Sequence, residues 1–377
     1  MCSLHLISLS IQKSFPQLLI VKYKNMKTIY FNKNFSVTSA QIEAVNLEGR
    51  FATLASHSDP ENTMMLNANR TLQEPRGLLG DAYVDWLLGA VQRERPDVFI
   101  VGKEAGAVAV RRAEFEALGV QTLTVADAPT LRHLDRKDEF LRAWDTNVLP
   151  IPAWTTFDDL ASFKRGIAGM ESHPDFVPGV TRLCVKPARG IYAAGFRVLT
   201  GGRDLGSFLA GELYQMSYGE ARRLFTQTET PLPTMLLMHT LEGAERSVDC
   251  VAWQGRLAAA VVRRKLPGGG PQLIEERPDL LRAARQIALT YHLSGIFNFQ
   301  TKDHQLPDGG RVPNMLEINA RASGGLRYSM AAGINFASVA AGLALGELKA
   351  EDAPRPRTGI RVAEVKTALV LETQVLE

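Results

Sequence analysis

The sequence contains few cysteines, and none of them has a metal-binding spacing. Among 377 residues there are three, Cys2, Cys184 and Cys250, and no C-x-x-C pair occurs. Three thiols are too few for a disulfide framework, and the missing C-x-x-C spacing argues against a structural zinc site. We therefore expect reduced thiols in a cytoplasmic protein.

Long apolar runs are also missing. The chain nowhere contains the ~20 consecutive apolar residues that a membrane helix requires. The nearest candidate, Leu4 to Val21, is interrupted by Lys13 and Pro16, and it lacks a basic n-region and an A-x-A-like cleavage site. We predict that residues 1–25 are a disordered extension, or an upstream start that the fold does not use. An amphipathic membrane anchor is the alternative interpretation of this segment, and no other membrane contact is expected.

Beyond this leader the chain has no surplus of charge of either sign. Lysine plus arginine number 43 and aspartate plus glutamate number 40. The excess equals Lys13, Lys22 and Lys24, which precede Met26 in a segment without acidic residues. Because the remainder of the chain is balanced, the sequence gives little support to nucleic-acid binding, and we predict no nucleic-acid partner.

Two common enzyme signatures are absent as well. The first third of the chain has no G-x-G-x-x-G turn with an acid downstream, and no G-x-S-x-G elbow occurs. These absences argue against a dinucleotide-binding dehydrogenase and against a serine hydrolase of the elbow type. Hydrophobic residues make up 45% and charged residues 22%, which is typical of a folded globular protein. The length corresponds to about two or three domains.

Short apolar strands alternate with amphipathic helices over residues 26–127. Strands are predicted at Thr28 to Asn32 and at Asp97 to Val101, and helices at Asp81 to Gln92 and at Arg111 to Leu118. Alternation of this kind predicts a small domain with a parallel sheet.

A second, larger domain is predicted over residues 128–350, where longer strands mix with helices. A helix is predicted at Phe157 to Met170, and Gln254-Gly255 between two apolar strands is a hairpin-turn signal. Residues 351–377 are predicted to end the chain with a strand at Ile360 to Leu371. The fold class that follows is α/β, with α+β character in the second domain.

Lys186 is the first candidate functional residue. It stands at the end of the apolar strand RLCVKP and is followed by the small residues of PARGIYAAG. A lysine fixed by a strand, next to a backbone that a ligand can approach closely, suits phosphate binding. A hairpin with a surface lysine explains the same pattern equally well.

A group of polar residues at the ends of two neighbouring strands indicates a site more specifically than Lys186 does. Gln300 ends GIFNFQ, while Glu317 and Asn319 end MLEIN and point to one face because strand side chains alternate. If the two strands pair antiparallel, Gln300 and Asn298 approach that face. Magnesium prefers such oxygen ligands, and Arg321 follows at a distance suited to a phosphate or carboxylate. The alternative is a polar strand end at a domain surface.

Further charged residues lie in the strands between these motifs. Glu245 precedes the strand SVDCVAW, and Asp249 within that strand is costly unless it faces a site or a partner. Arg263 and Arg264, on the strand after the hairpin turn, could bind a substrate carboxylate or be solvated.

Four motifs together resemble the ATP-grasp superfamily. VKPARG, LEGAERSVD, GIFNFQ and MLEINARASGG occur in the order and at the separations of that superfamily. The sequence is most similar to the carbamoyl phosphate synthetase large subunit and related carboxylate–amine ligases, over about residues 95–346. The resemblance implies an N-terminal parallel α/β pre-ATP-grasp domain followed by a two-subdomain ATP-grasp fold.

The resemblance also implies roles for individual residues. Lys186 resembles the strand cation that meets the nucleotide phosphates, and Lys137 the first basic residue that reaches the nucleotide. Arg321 resembles the arginine that stabilises the transferring phosphoryl group. The other implied residues are an adenine-binding segment with Met238, His239 and Leu241, a ribose-binding Glu245, and the metal ligands Gln300, Glu317 and Asn319.

The sequence departs from the superfamily pattern in two places. Ala320 stands where the family has a proline between the metal-binding asparagine and the arginine, a small change that should leave the metal geometry intact. The segment PARGIYAAG lacks the usual glycine pair of the phosphate loop, which bears on how that loop closes.

By analogy, the implied activity is that of an ADP-forming ligase. ATP, with Mg²⁺ or Mn²⁺, would phosphorylate a carboxylate, and an amine would displace phosphate. The expected partners are thus a small-molecule carboxylate and a small-molecule amine; a homodimer is left open. Two alternatives remain: carbamoyl-phosphate-like or carboxylase chemistry on bicarbonate, and a nucleotide-binding module without catalysis. The second is disfavoured because a sensor does not need Glu317, Asn319 and Arg321 together.

Overall fold

The computed structural model describes residues 26–190, 194–202, 206, 209, 214–227, 232–305 and 310–365. The predicted extension 1–25 therefore lies outside the described residues. Within these ranges, no helix is both long enough and apolar enough to cross a membrane. The described strands form three sheets, which are introduced here in chain order.

The first sheet is parallel, as the alternation of strands and helices predicted. Its strands run in the order β3-β2-β1-β4-β5. They are β1 (Thr28–Phe31), β2 (Ala52–His57), β3 (Arg70–Gln73), β4 (Val98–Ile100) and β5 (Gln121–Leu123). The inner strands are buried on both faces because helices cover the sheet, which explains their continuous apolar character.

Helices connect the strands of this sheet. They are α1 (Val37–Glu48), α2 (Thr63–Asn67), α3 (Gly80–Glu94), α4 (Ala105–Val110) and α5 (Arg112–Ala117). The helix predicted at Arg111 to Leu118 is present as Arg112–Ala117, and a second short helix, Ala105–Val110, precedes it. Gly119 ends the second of them with a positive φ of 86°, a conformation that favours glycine.

The second sheet contains the strand that carries Lys186. The strand order is β6-β10-β7-β8-β9, and all neighbours except β8 and β9 pair antiparallel. The strands are β6 (Trp154–Phe157), β7 (Leu183–Pro187), β8 (Arg197–Thr200), β9 (Gln215–Ser217) and β10 (Met235–His239). Helices α6 (Ala128–Asp135) and α7 (Lys137–Ala143) lead into this sheet, and α8 (Leu160–Glu171) and α9 (Tyr218–Gln227) lie beyond β6 and β9 along the chain.

The helix predicted at Phe157 to Met170 begins too early. Trp154–Phe157 form a strand because aromatic and β-branched residues favour the extended backbone. The helix begins after Asp159, whose side chain accepts a hydrogen bond from the Ser162 amide while the Ser162 hydroxyl bonds the Asp159 amide. This reciprocal capping fixes the helix start.

The third sheet is antiparallel and carries the other candidate residues. Its order is β15-β14-β11-β12-β13-β16. The strands are β11 (Glu245–Trp253), β12 (Arg256–Lys265), β13 (Gln272–Glu275), β14 (Gly295–Gln305), β15 (Arg311–Asn319) and β16 (Arg361–Val362). Helices α10 (Pro278–Thr290), α11 (Leu326–Met330) and α12 (Phe336–Ala344) follow in the same part of the chain. The predicted turn Gln254-Gly255 joins β11 to β12, and both residues have the positive φ of a tight hairpin.

The strand predicted at Ile360 to Leu371 is much shorter in the structure. Only Arg361–Val362 pair with β13, residues 363–365 are not in a strand, and residues 366–371 lie outside the described residues. Two buried thiols, Cys184 and Cys250, are free, as expected. Burial raises the pKa of the Cys184 thiol to about 11, so it stays protonated at neutral pH.

One core cluster is shared by the first and third sheets. It contains Phe31 and Ile42 from the first part of the chain and Val251 and Phe336 from the third sheet and its helix α12. Because these residues pack in a common core, the first sheet is fixed against the third one.

Candidate active site

A cavity of about 740 Å³ lies between the second and third sheets. Its walls come from strands β7 and β10 on one side and from β11, β12, β14 and β15 on the other. The ten residues to which the resemblance assigned roles all border it: Lys137, Lys186, Met238, His239, Leu241, Glu245, Gln300, Glu317, Asn319 and Arg321. The fold therefore brings together positions that are up to 184 residues apart in the sequence.

The predicted oxygen ligands meet across β14 and β15. Gln300 lies opposite Glu317 and Asn298 lies opposite Asn319, as antiparallel pairing requires. The Asn319 amide donates to Glu317 Oε1 over 3.0 Å, so the two side chains lie on the same face. One carboxylate and two or three amide oxygens make a hard donor set of the kind that Mg²⁺ prefers. In the described ranges no group of three His, Cys, Asp or Glu forms a metal cluster, so amide oxygens are needed for this site.

The side chain of Asn298 has an unsatisfied acceptor oxygen near these ligands. Its amide group donates to Ser247 Oγ, the Val248 carbonyl and Asp249 Oδ1, which fixes its orientation. Its own Oδ1 is buried and has no hydrogen-bond partner. A buried acceptor without a partner is unfavourable unless a ligand or water satisfies it, which fits a bound group at this place.

Two lysines approach the carboxylate of Glu317, one at the start of helix α7 and one on strand β7 of the second sheet. Lys137 Nζ lies 3.6 Å from Glu317 Oε2 and donates to the Gly190 carbonyl over 2.8 Å. Burial lowers the pKa of Lys186, while the charge of Glu317 opposes that shift. A carboxylate between two cations, facing a cavity, forms a place where anionic phosphates and a metal ion can be bound together.

The segment expected to bind adenine continues from β10. The amides of His239 and Thr240 donate to the carbonyls of Ala153 and Arg182 over 2.9 and 2.8 Å. The His239 ring donates from Nε2 to the Met170 carbonyl over 2.9 Å, and burial lowers its pKa. This ring is consequently a neutral packing group in the cavity wall.

Glu245 and the arginines of β12 are held by ion pairs within the protein. Glu245 pairs with Lys265, and Arg264 Nε lies 3.1 Å from Glu275. Arg263 is 2% exposed and its Nε donates to Asp249 Oδ2 over 2.7 Å. The hypothesis that Arg263 is solvated is therefore wrong.

The same arginine is surrounded by hydrogen-bond partners. Its terminal nitrogens donate to Gln272 Oε1 over 2.5 Å and to the hydroxyls of Ser247 and Ser323 over 2.9 Å. A side-chain carbon at Gly325 would lie 2.6 Å from Nη1 of Arg263. Glycine is thus required at position 325, because the backbone there lies very close to the guanidinium of Arg263.

Comparison with known proteins finds a matching family model and similar solved structures. The model of the family described as ATP-grasp in the biosynthetic pathway with Ter operon matches residues 231–368, which include β11, β12, β14 and β15. Several solved enzyme structures have a similar overall fold. The chain has an ATP-grasp fold. The resemblance to the ATP-grasp superfamily that the four motifs predicted is thereby confirmed.

Three of the similar structures illustrate the breadth of this fold. N5-carboxyaminoimidazole synthetase from Staphylococcus aureus has 10% identity and a TM-score of 0.59, over 88% of this chain and 80% of that one. L-amino acid ligase from Bacillus licheniformis has 16% identity and a TM-score of 0.55, over 87% and 77%. The biotin carboxylase domain of Hydrogenobacter thermophilus 2-oxoglutarate carboxylase, crystallised with MgADP and bicarbonate, has 15% identity and a TM-score of 0.56, over 85% and 70%.

At these identities the likeness shows the fold and not the reaction. No curated protein sequence matches this chain. The roles assigned to individual residues therefore remain predictions that the cavity geometry supports.

Sequence reasoning missed one residue at the edge of the site. Phe35, in the loop after β1, places its ring 4.6 Å from the guanidinium carbon of Arg321. Arg321 also donates from Nη1 to the Ala322 carbonyl over 3.3 Å. No motif marks Phe35, because the contact joins residues 286 positions apart and depends on how the first sheet packs on the third.

Proposed function

We propose that this protein is an ATP-dependent ligase that activates a carboxylate as an acyl phosphate and joins it to an amine. The observation that carries the proposal is the group around Glu317: Lys137 at the start of helix α7, Lys186 on strand β7, and Gln300 and Asn319 on the third sheet. Such a group suits an ATP whose β and γ phosphates bridge the two sheets.

The chain's own residues would bind and orient the reactants in this reaction. Lys137 and Lys186 would neutralise phosphate charge, and Arg321 would meet the transferring phosphoryl group. Gln300, Glu317 and Asn319 would hold a divalent cation, which would supply positive charge to neutralise the phosphates. Positioning and electrostatics are sufficient for this chemistry, and no nucleophilic side chain is required.

The proposed steps balance without a further reactant. A carboxylate oxygen attacks the γ phosphorus, the bond to the β,γ-bridging oxygen breaks, and ADP leaves. The amine nitrogen then attacks the acyl carbon, the bond between that carbon and the phosphate oxygen breaks, and phosphate leaves. The proton lost by the amine goes to solvent.

Carboxylation is the second candidate function. It is favoured by the similar carboxylase domain that was crystallised with MgADP and bicarbonate. Bicarbonate is itself a small carboxylate-like acceptor, and the same phosphate-binding group would serve both reactions.

A screen for ADP release separates these functions. We expect the purified protein with MgATP to release ADP and phosphate in equal amounts when a suitable pair of amino acids is added. Bicarbonate alone and each amino acid alone form the other arms, and the protein without substrate gives the background. ADP release that needs both an acid and an amine supports the ligase, whereas release that needs bicarbonate supports the carboxylase. A rate that no added substrate changes would contradict both proposals.

A further inference from the structure

Phe35 from the first sheet contacts the candidate phosphoryl-binding arginine of the third sheet. Its ring lies 4.6 Å from the guanidinium carbon of Arg321. A cation held over an aromatic face is attracted by the ring quadrupole. We propose that Phe35 is a positioning residue for Arg321, so that the first domain completes the phosphoryl-transfer site; this inference rests on the proposed function.

The loop that carries Phe35 is fixed at the carboxyl end of the central strand β1. At the end of β1, Asn32 accepts from the Gly102 amide over 2.6 Å and donates to the Lys103 carbonyl over 3.0 Å. The Lys103 amide in turn donates to the Lys33 carbonyl over 2.8 Å. These bonds tie the loop after β1 to the loop after β4, where the strand order of the sheet changes direction. The backbone that presents the ring is therefore constrained on both sides.

Close packing restricts this loop further. A side-chain carbon at Gly102 would lie 2.6 Å from the side chain of Asn34, the residue before Phe35. Only glycine permits the two loops to approach so closely. Phe35 itself packs against the core cluster that the first and third sheets share.

The first domain is also fixed to the element that follows Arg321. Arg327 in α11 pairs with Glu43 of α1 over 3.3 Å, and Asn335 donates to the Ala44 carbonyl over 3.0 Å. Together with the shared core, these contacts fix the backbone segments that carry Phe35 and Arg321 relative to each other. An arginine side chain has several rotatable bonds, so a fixed ring reduces the number of orientations that its guanidinium can adopt.

The role predicts a specific kinetic change. Phe35→Leu keeps an apolar side chain of similar reach but removes the ring. We expect kcat to fall about 2- to 30-fold while the KM for ATP stays within about twofold, because the ring acts on Arg321 and not on the adenine end. Phe35→Tyr keeps an aromatic face and should retain most of the wild-type kcat.

A control variant removes an ion pair of the first domain that involves neither Phe35 nor Arg321. Arg70→Ala removes the ion pair to Glu94 within the first domain and should leave kcat unchanged. A double-mutant cycle of Phe35→Leu and Arg321→Met measures the contact without any assay of activity. The free energy of unfolding of each variant is determined from urea unfolding. The unfolding equilibrium constant should show a coupling of about two- to fivefold.

The outcomes separate this inference from the proposed function. A Phe35→Leu variant with wild-type or higher kcat would overturn the positioning role, and so would a Tyr variant that loses as much as the Leu variant. Absence of coupling in the cycle would show that the contact does not exist in solution. If the wild type releases no ADP with any carboxylate, the proposed function fails, and the cycle then decides on the contact by itself.

Discussion

Replacing Glu317 by glutamine should reduce ATP turnover by ~10²-fold or more, since the variant loses the carboxylate of the candidate cation site. Glu317 pairs with Lys137 and lies near Lys186, so the neutral variant also leaves these two lysines without their counter-ion. Glutamine has the same size and can still accept from Asn319. The fold should therefore be preserved while the rate of ADP release collapses.

The control for this prediction is Glu351→Gln. Glu351 is exposed and pairs only at the surface with Arg256, so its neutral variant should keep wild-type turnover. Both variants should show the far-ultraviolet circular dichroism and melting temperature of the wild type within a few degrees. A Glu317→Gln protein that turns over ATP at the wild-type rate at saturating magnesium would show that the cation site is assigned to the wrong residue.

Replacing Asp249 by asparagine should destabilise the protein by about 3–5 kcal/mol, because it leaves the charge of Arg263 buried without a counter-charge. Asp249 is 0% and Arg263 2% exposed, and the two lie 2.7 Å apart. Ser329 and Asn298 also donate to the same carboxylate, so a whole buried network loses its charge. Urea unfolding followed by circular dichroism measures the loss.

Glu43→Gln is the matched control for the buried pair. It also neutralises an acid that pairs with an arginine, Arg327, but both side chains are about half exposed. Solvent screening limits such a pair to within about 1 kcal/mol. Equal losses of unfolding free energy for the two variants would mean that the Asp249–Arg263 pair does not stabilise the fold as the geometry requires.

The part of the site on β14 and β15 could be predicted because it depends on the two-residue period of strands. Glu317 and Asn319 had to share a face, and antiparallel pairing had to bring Gln300 and Asn298 opposite them. The short connection between the strands left few other arrangements. That Lys186 joins this site was harder to predict, since its strand belongs to another sheet. Only the resemblance to a family linked Lys186 to the residues on β14 and β15.

The pairing of Asp249 with Arg263 shows what local patterns leave open. The hairpin was predicted from Gln254-Gly255, but the strand register was not, and a bulge between Val251 and Ala252 shifts it. In the structure Arg263 lies opposite Ser247, one step diagonal from Asp249 on the same face. Because that register was unknown, the ion pair between Asp249 and Arg263 could not be predicted from the sequence.

Phe35 illustrates a second kind of limit. A single aromatic residue after a short strand has no spacing that distinguishes it from a core residue. Its contact with Arg321 follows from the packing of two sheets through a shared core, which is a tertiary property. The early start predicted for the helix at Phe157 had a local cause instead, because the capping residues Asp159 and Ser162 were not recognised.

The most direct test of the account follows heavy oxygen from the carboxylate substrate into phosphate. Once the screen has found an active pair, the acid is labelled with heavy oxygen in its carboxyl group and incubated with MgATP and the amine. If an acyl phosphate forms, one labelled oxygen becomes the bridge to phosphorus, and the released phosphate must carry one label beside unlabelled ADP. Release of AMP and pyrophosphate, or of ADP with unlabelled phosphate, would contradict carboxylate activation by phosphoryl transfer.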